Sequence, residues 1–217
     1  MTYPAHARAL LGALMVSAST LMAGCGNIIG PEKALQLYTL DPQVPGSSGP
    51  ARQVVSGQLS IDVPDAEASL NTNRIALNPT PETMDYFANA SWPDRLPLLF
   101  QSRLIESFEK DGRAASVARD TAALHADYLL KSEIRSFQAR YAAPSSVPDI
   151  VVRVDVTLVQ VSTEKAVSRK EMSQQVHADG NTLPAIVLAF NTATASILRD
   201  IVDWTVMGTP PLPQPRK

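Results

Sequence analysis

Ile150-Val151-Val152-Arg153-Val154-Asp155-Val156-Thr157-Leu158 is the stretch whose reading decides the fold. Ile150, Val152, Val154, Val156 and Leu158 fall on one side of an extended chain. Arg153, Asp155 and Thr157 fall on the other. Alternation with period two marks a strand with one buried and one solvated face. The stretch before it, Tyr128 to Tyr141, reads as a longer strand. Its apolar phase runs Tyr128, Leu130, Ile134 and then Phe137, Ala139, Tyr141. A one-residue change of phase predicts a β-bulge. Ala143 to Pro148 (APSSVP) reads as a hairpin connection or surface loop. Val167 to Ala178 is more polar and fits an edge strand.

Helical spacing flanks this strand block on both sides. Upstream, Leu96, Phe100, Leu104 and Phe108 recur every four residues beside Leu99 and Ile105, with Arg103, Glu106 and Lys110 to the sides. This is an amphipathic helix. Ser91 or Asp94 is expected to cap it. Pro93 and Pro97 place its regular part from about Arg95, because proline belongs in a first turn. Asp111-Gly112 ends it. Downstream, about Leu183 to Met207, Ile186, Val187, Phe190, Ala193, Thr194, Ile197, Leu198, Ile201 and Val202 form a second stripe. Asn191, Arg199, Asp200 and Asp203 lie off it. Three charges are out of place in a bilayer span, so this helix is expected to cover a sheet.

Nearer the start, Leu35 to Leu40 is a short strand candidate. Gly57 to Val63 alternates, with Leu59, Ile61 and Val63 opposite Gln58, Ser60 and Asp62. Arg74 to Leu77 and Met84 to Ala88 read as strands around an Asn78-Pro79-Thr80-Pro81 turn, and Ala115 to Ala118 as another strand. Strands, helix, antiparallel strands and helix make an α+β domain: a mostly antiparallel sheet with two main helices packed on one face.

Before this domain stands a different kind of sequence. His6 and Arg8 give a basic start, Ala9 to Met22 is apolar, and Leu21-Met22-Ala23-Gly24-Cys25 ends in the chain's one cysteine. A basic region, a short apolar core and a small-residue cleavage site define an export signal. The apolar run is shorter than the ~20 residues of a spanning helix. With a cysteine where the mature chain would begin, the segment resembles the lipobox of bacterial lipoproteins, although Met22 stands where leucine is usual. Acylation at Cys25 (the palmitate-type anchor of such proteins) would tether the chain to a membrane without spanning it. It would also leave no thiol for disulfides, catalysis or metal. Gly26 and Asn27 follow, not the aspartate of an inner-membrane retention signal, which points to the periplasmic face of the outer membrane. The expected organisation is a lipoprotein signal peptide at 1–24, a lipid-anchored linker at 25–34, one domain at 35–207 and a proline-rich tail at 208–217. Pro42 to Pro50 (PQVPGSSGP) is a loop within the domain.

About 190 residues remain after the signal, enough for one core. The net charge of −2 offers no basic field for nucleic acid. His125 and His177 are isolated, without metal-ligand spacing. No GxSxG elbow and no phosphate-cradling glycine loop with a Walker lysine occurs. Glu106 and Glu109 read as solvated helix charges, Asp155 as outward decoration or a partner surface, and Trp92 as a packing anchor. No catalytic residue, cofactor or metal site is assigned.

The order of short motifs is similar to that of the ABC-type transport auxiliary lipoproteins, of the PqiC or YmbA kind. The likeness runs through the lipobox, Leu37-Tyr38-Thr39-Leu40-Asp41-Pro42, Ile61-Asp62-Val63-Pro64, Leu70, Arg74-Ile75 and Tyr86. It continues through Trp92, Leu96-Pro97, Leu104, Gly112, Val117, Asp127-Tyr128-Leu129-Leu130 and Phe137. Ser91 replaces a basic residue common before the tryptophan, so no role of that charge carries over. The resemblance implies a non-catalytic adaptor in an MCE-type lipid transport system. Its partners would be a periplasmic MCE-domain substrate-binding protein and the system's ABC permease and ATPase. The alternative is a structural lipoprotein of envelope assembly. The open edge strand near Val167 to Ala178 and the loop Ala143 to Pro148 are the expected docking surfaces, for that partner or for a second copy in a homo-oligomer.

Overall fold

A computed structural model of the chain describes residues 34–44, 55–120, 126–143 and 145–211. Within them lie nine strands and two α-helices. In order they are β1 (Gln36–Leu37), β2 (Val55–Ile61), β3 (Asp65–Ala66), β4 (Arg74–Thr80), β5 (Thr83–Ser91), α1 (Leu96–Asp111), β6 (Ala114–Arg119), β7 (Tyr128–Arg140), β8 (Asp149–Gln160), β9 (Lys165–His177) and α2 (Leu183–Gly208). The class is α+β, as the alternation and the two stripes require.

Strand β8 carries the alternation into the core. Ile150, Val152, Val154, Val156 and Leu158 are fully buried, and Arg153 is exposed. Val151, on the outward side, is buried too. The predicted bulge is present in β7: its register against β8 shifts between Ile134 and Ser136, leaving Arg135 as the extra residue. Tyr128, Leu130 and Ile134 before the shift and Phe137 and Ala139 after it are all buried. The Gln138 side-chain carbonyl accepts the Phe137 N–H at 2.6 Å. A backbone donor freed by the irregularity is thereby satisfied.

The sheet is mixed. β7 pairs antiparallel with β8, β8 with β9, and β4 with β5. The pairings β1–β5, β2–β6, β2–β7, β3–β7 and β4–β7 are parallel, and each is shorter than the two ladders of β8. Along its second edge β7 meets three pieces of chain in turn: Leu59–Ile61 beside residues 128–130, Asp65–Ala66 beside 133–134, and Leu77–Asn78 beside 139–140. The segment from 59 to 78 thus follows β7 as one interrupted strand.

Several local expectations change. The early strand is two residues long rather than Leu35 to Leu40. β2 stops at Ile61, so Val63 is 39% exposed, while Ser60 is fully buried and its hydroxyl donates to Asp120. β2 has neighbours along both edges, β6 and β7, so it is an interior strand of the sheet. The reversal between β4 and β5 falls at Pro81 and Glu82, not at Asn78 to Pro81. Pro79 is tolerated in the strand because the pairing shifts register there. The start of α1 uses neither proposed cap: the Leu96 N–H donates to the Thr72 carbonyl at 3.0 Å. Ser91 closes β5, and the Asp94 carboxylate takes the N–H of Arg95. The predicted stop holds. Gly112 has φ +74° and its N–H returns to the Phe108 carbonyl at 3.1 Å.

The core lies between sheet and helices. Leu96, Phe100, Leu104 and Phe108 of α1 are buried, as is every apolar residue of the α2 stripe. α2 is long and apolar enough to cross a membrane by length and composition, but 61% of its most apolar stretch is buried in the domain. Trp92, Phe137 and Phe190 meet at the centre. The Trp92 ring stands edge-on to Phe137 and Phe190 at 6.3 and 5.7 Å, and those two stack at 5.0 Å. Such pairs add stabilisation beyond their buried area.

Candidate functional site

Cys25, the one residue to which the sequence assigns a modification, lies outside the described residues, as does His125. The structure therefore bears on the docking surfaces and on the groups that could do chemistry.

β9 lies at an edge of the sheet, with β8 as its paired neighbour. Its first half carries Lys165, Arg169 and Lys170, all exposed; its second half, Ser173 to Val176, is uncharged. Lysines on an edge discourage pairing with a like-charged chain. The uncharged half leaves backbone donors and acceptors open to an added strand. Behind it the face is fixed by charge. The Asp155 carboxylate receives Arg135 at 3.2 Å and Arg169 at 2.9 Å, and Arg135 also pairs with Glu133. Burial pushes the Asp155 carboxyl up, and the two guanidinium hydrogen bonds outweigh it, so the group is held below its usual value. Asp155 is thus the centre of a charge lattice across β7, β8 and β9. His177, at the end of β9, is exposed with Nδ1 2.8 Å from Asp149.

The connection after β7 is compact. Ser145 has φ +64°, and the Ser146 N–H and hydroxyl both donate to the Ala143 carbonyl, at 3.1 and 2.8 Å. Ser145 walls an open groove of about 390 Å³ with Leu77, Pro79, Thr80, Tyr141 and Asn181. The Tyr141 hydroxyl donates to the Asn181 side-chain oxygen at 2.9 Å. Burial pushes its phenol up, so it stays a neutral donor. The loop was legible from its prolines. The groove was not, because its walls come from four places in the chain; the apolar Ile75-Ala76-Leu77 of β4 running into Asn78-Pro79-Thr80-Pro81 was its one local signal.

Other candidates resolve into structure. Trp92 is buried in the aromatic trio. Glu106 bridges Arg103 and Lys110, and hydrogen bonds from Lys110 and then Arg103 hold its carboxyl below the usual range. Glu109 is exposed. Arg113 ties Asp111, at the end of α1, to Asp203 on α2. A second groove of about 360 Å³ brings Asp62, Asp65 and Arg95 near Pro64, Asn71 and Pro97. It holds carboxylates and a guanidinium but no hydroxyl, thiol or imidazole beside a base. Among the described residues no group of three His, Cys, Asp or Glu is placed to hold a metal ion.

An α+β domain offering a sheet edge, a charge lattice and shallow grooves has surfaces suited to recognition. The chain belongs to the family of ABC-type transport auxiliary lipoprotein components, whose model matches residues 38–202. It is 31% identical over 191 residues to the uncharacterized protein bll6063 of Bradyrhizobium diazoefficiens, a match that takes in 87% of this chain and 50% of that protein. The chain therefore spans about half the length of the curated relative it matches. Its fold is similar to the crystal structure of protein XCC0632 from Xanthomonas campestris, with TM-score 0.73 and 23% identity over 80% of this chain and 95% of that one. A second crystal structure, of an uncharacterized protein, aligns with TM-score 0.61 and 12% identity over 79% and 98%. At these identities the likeness to solved structures shows the fold alone.

Proposed function

We propose that this chain is a non-catalytic adaptor, anchored by a lipid on Cys25 to the periplasmic face of the outer membrane, in an ABC transport system of the MCE type that moves lipid between membranes. The observation that carries this reading is the family match across residues 38–202. The lipobox-like Leu21 to Cys25 supplies the anchor and divides the signal at 1–24 from the linker that leads to the domain. Energy for transport would come from the ATPase and permease. The adaptor's task is to hold a periplasmic MCE-domain protein, through the uncharged half of β9 and the loop from Ala143 to Pro148. An added strand would take its backbone hydrogen bonds from β9 and its specificity from the flanking charges.

Two experiments test the reading. Cys25→Ser should leave the protein unprocessed or soluble on fractionation; processed, membrane-bound mutant would refute the anchor. Crosslinking in envelopes, followed by solubilisation and pulldown, should recover the MCE-domain protein with this chain. Its absence, with the partner expressed, would remove the transport role and favour a structural lipoprotein of envelope assembly.

A further inference from the structure

Leu35 and Leu37 are 62% and 64% exposed, two residues apart on an extended segment, so their side chains leave the same side of it. Single exposed leucines are ordinary. The position of these two is not. They are the first large apolar side chains after the linker that leads from Cys25, and that linker is short. Residues 26–34, fully stretched, span at most about 30 Å, and a relaxed coil of that length spans about half as much. The segment is also held in place: β1 pairs with Ala90 and Ser91 of β5, the Tyr38 N–H donates to the Ser91 carbonyl at 2.9 Å, and Leu40 is buried. The leucines are therefore presented from a fixed edge at the point where the tether enters the domain.

We propose that the β1 edge rests on the lipid surface, with Leu35 and Leu37 entering the boundary between headgroups and acyl chains. This rests on the reading that Cys25 is acylated. Acyl chains confine the domain near the bilayer, and two leucines moved from water into the boundary layer then fix which side faces it. β1 and β9 lie at opposite ends of the run β1-β5-β4-β7-β8-β9. Five interstrand spacings separate them, roughly 24 Å. Seating β1 on lipid turns β9 away, toward the space where a periplasmic partner stands.

The test uses the full acylated chain in phosphatidylethanolamine–phosphatidylglycerol liposomes. Acylation consumes the chain's one native thiol, so Leu37→Cys or Ser173→Cys introduces a unique site for an environment-sensitive fluorophore. The label at position 37 should shift to the blue and be quenched by lipids carrying nitroxides on their acyl chains. The label at 173, on β9, should report water. If the chain floats with the liposomes while the position 37 label reports water, the seating is wrong and the anchor stands. Equal quenching at both positions would also overturn it. A chain that does not float sinks the anchor and the seating together. An unlabelled pair guards against a label that inserts by itself: liposomes should slow amide exchange at residues 35–38 in the parent, and Leu35→Gln with Leu37→Gln should abolish that slowing. No slowing in the parent would refute the contact.

Discussion

The ribbon β7–β8–β9 and the joint along the second edge of β7 are built on opposite plans. In the ribbon, neighbours in sequence are neighbours in space, and each of the two ladders runs for twelve residue pairs. In the other half, β7 is met by three pieces of two or three residues, from chain about seventy positions away. Local antiparallel pairing closes small loops. The remote parallel pieces close large ones, for few hydrogen bonds each. The second half must therefore be held by packing, and the means is visible: Trp92 after β5, Phe137 in the ribbon and Phe190 on α2 share one centre.

The largest expected effect follows from that centre. Phe190→Ala should cost about 3–5 kcal/mol, the range for a buried aromatic deleted from a core. Denaturant unfolding of the domain should remain a single transition, because the ring touches both halves. A variant that unfolds in two steps would break the comparison: the ribbon would then be stable without its partner half.

A smaller effect belongs to the remote half alone. Gly112 ends α1 with φ +74°, and a Cβ placed there meets nothing within 4 Å. Gly112→Ala should cost about 1–2 kcal/mol through the left-handed backbone alone, read as a lowered urea midpoint at unchanged slope. Parent-like stability would mean that the turn relaxes and that the helix end is not fixed by this residue.

How much of this was legible in the sequence follows the same division. β8, the bulge in β7 and both helices could be read because period-two or period-3.6 patterns persist over nine or more residues. β1 and β3 are two residues each, too short to carry a period. Ser60 shows the other failure. Alternation placed it outside, but it is fully buried and remote Asp120, sixty residues on, receives its hydroxyl. The cap of α1 was missed because its acceptor, Thr72, is a backbone carbonyl more than twenty residues away. The candidate surfaces divide likewise. The β9 edge and the loop before β8 are local features. The groove at Tyr141 and the seat at Leu35 and Leu37 depend on which faces the fold leaves bare.

On the ribbon's outer face the expected effect is smaller and depends on pH. The folded pKa of Asp155 is lowered, so its contribution is present above the unfolded value and is lost as pH falls through the folded one. Asp155→Asn should cost about 1 kcal/mol or less at neutral pH, as partly screened pairs do. Below the ordinary carboxylate range the two proteins should converge. Melting temperatures taken across acid pH check this. A constant gap down to strong acid would show that the lattice acts by packing rather than by charge.

The smallest expected effect sharpens the comparison within a single helix. α2 carries Phe190 on its buried face, and Asp200, ten residues on, is exposed on the other. The Asp200 carboxylate has the Gln174 amide at 3.5 Å, too long to count for much. Asp200→Ala should therefore change stability by no more than about 0.5 kcal/mol, the usual range for exposed positions. Measured in the same denaturant as Phe190→Ala, it acts as an internal control on the helix face. The helix joins ribbon and remote half through one stripe only, so losses should be confined to that stripe. Similar losses at 190 and 200 would mean that α2 is rotated about its axis from the orientation described. The aromatic centre would then not be the joint between the two halves.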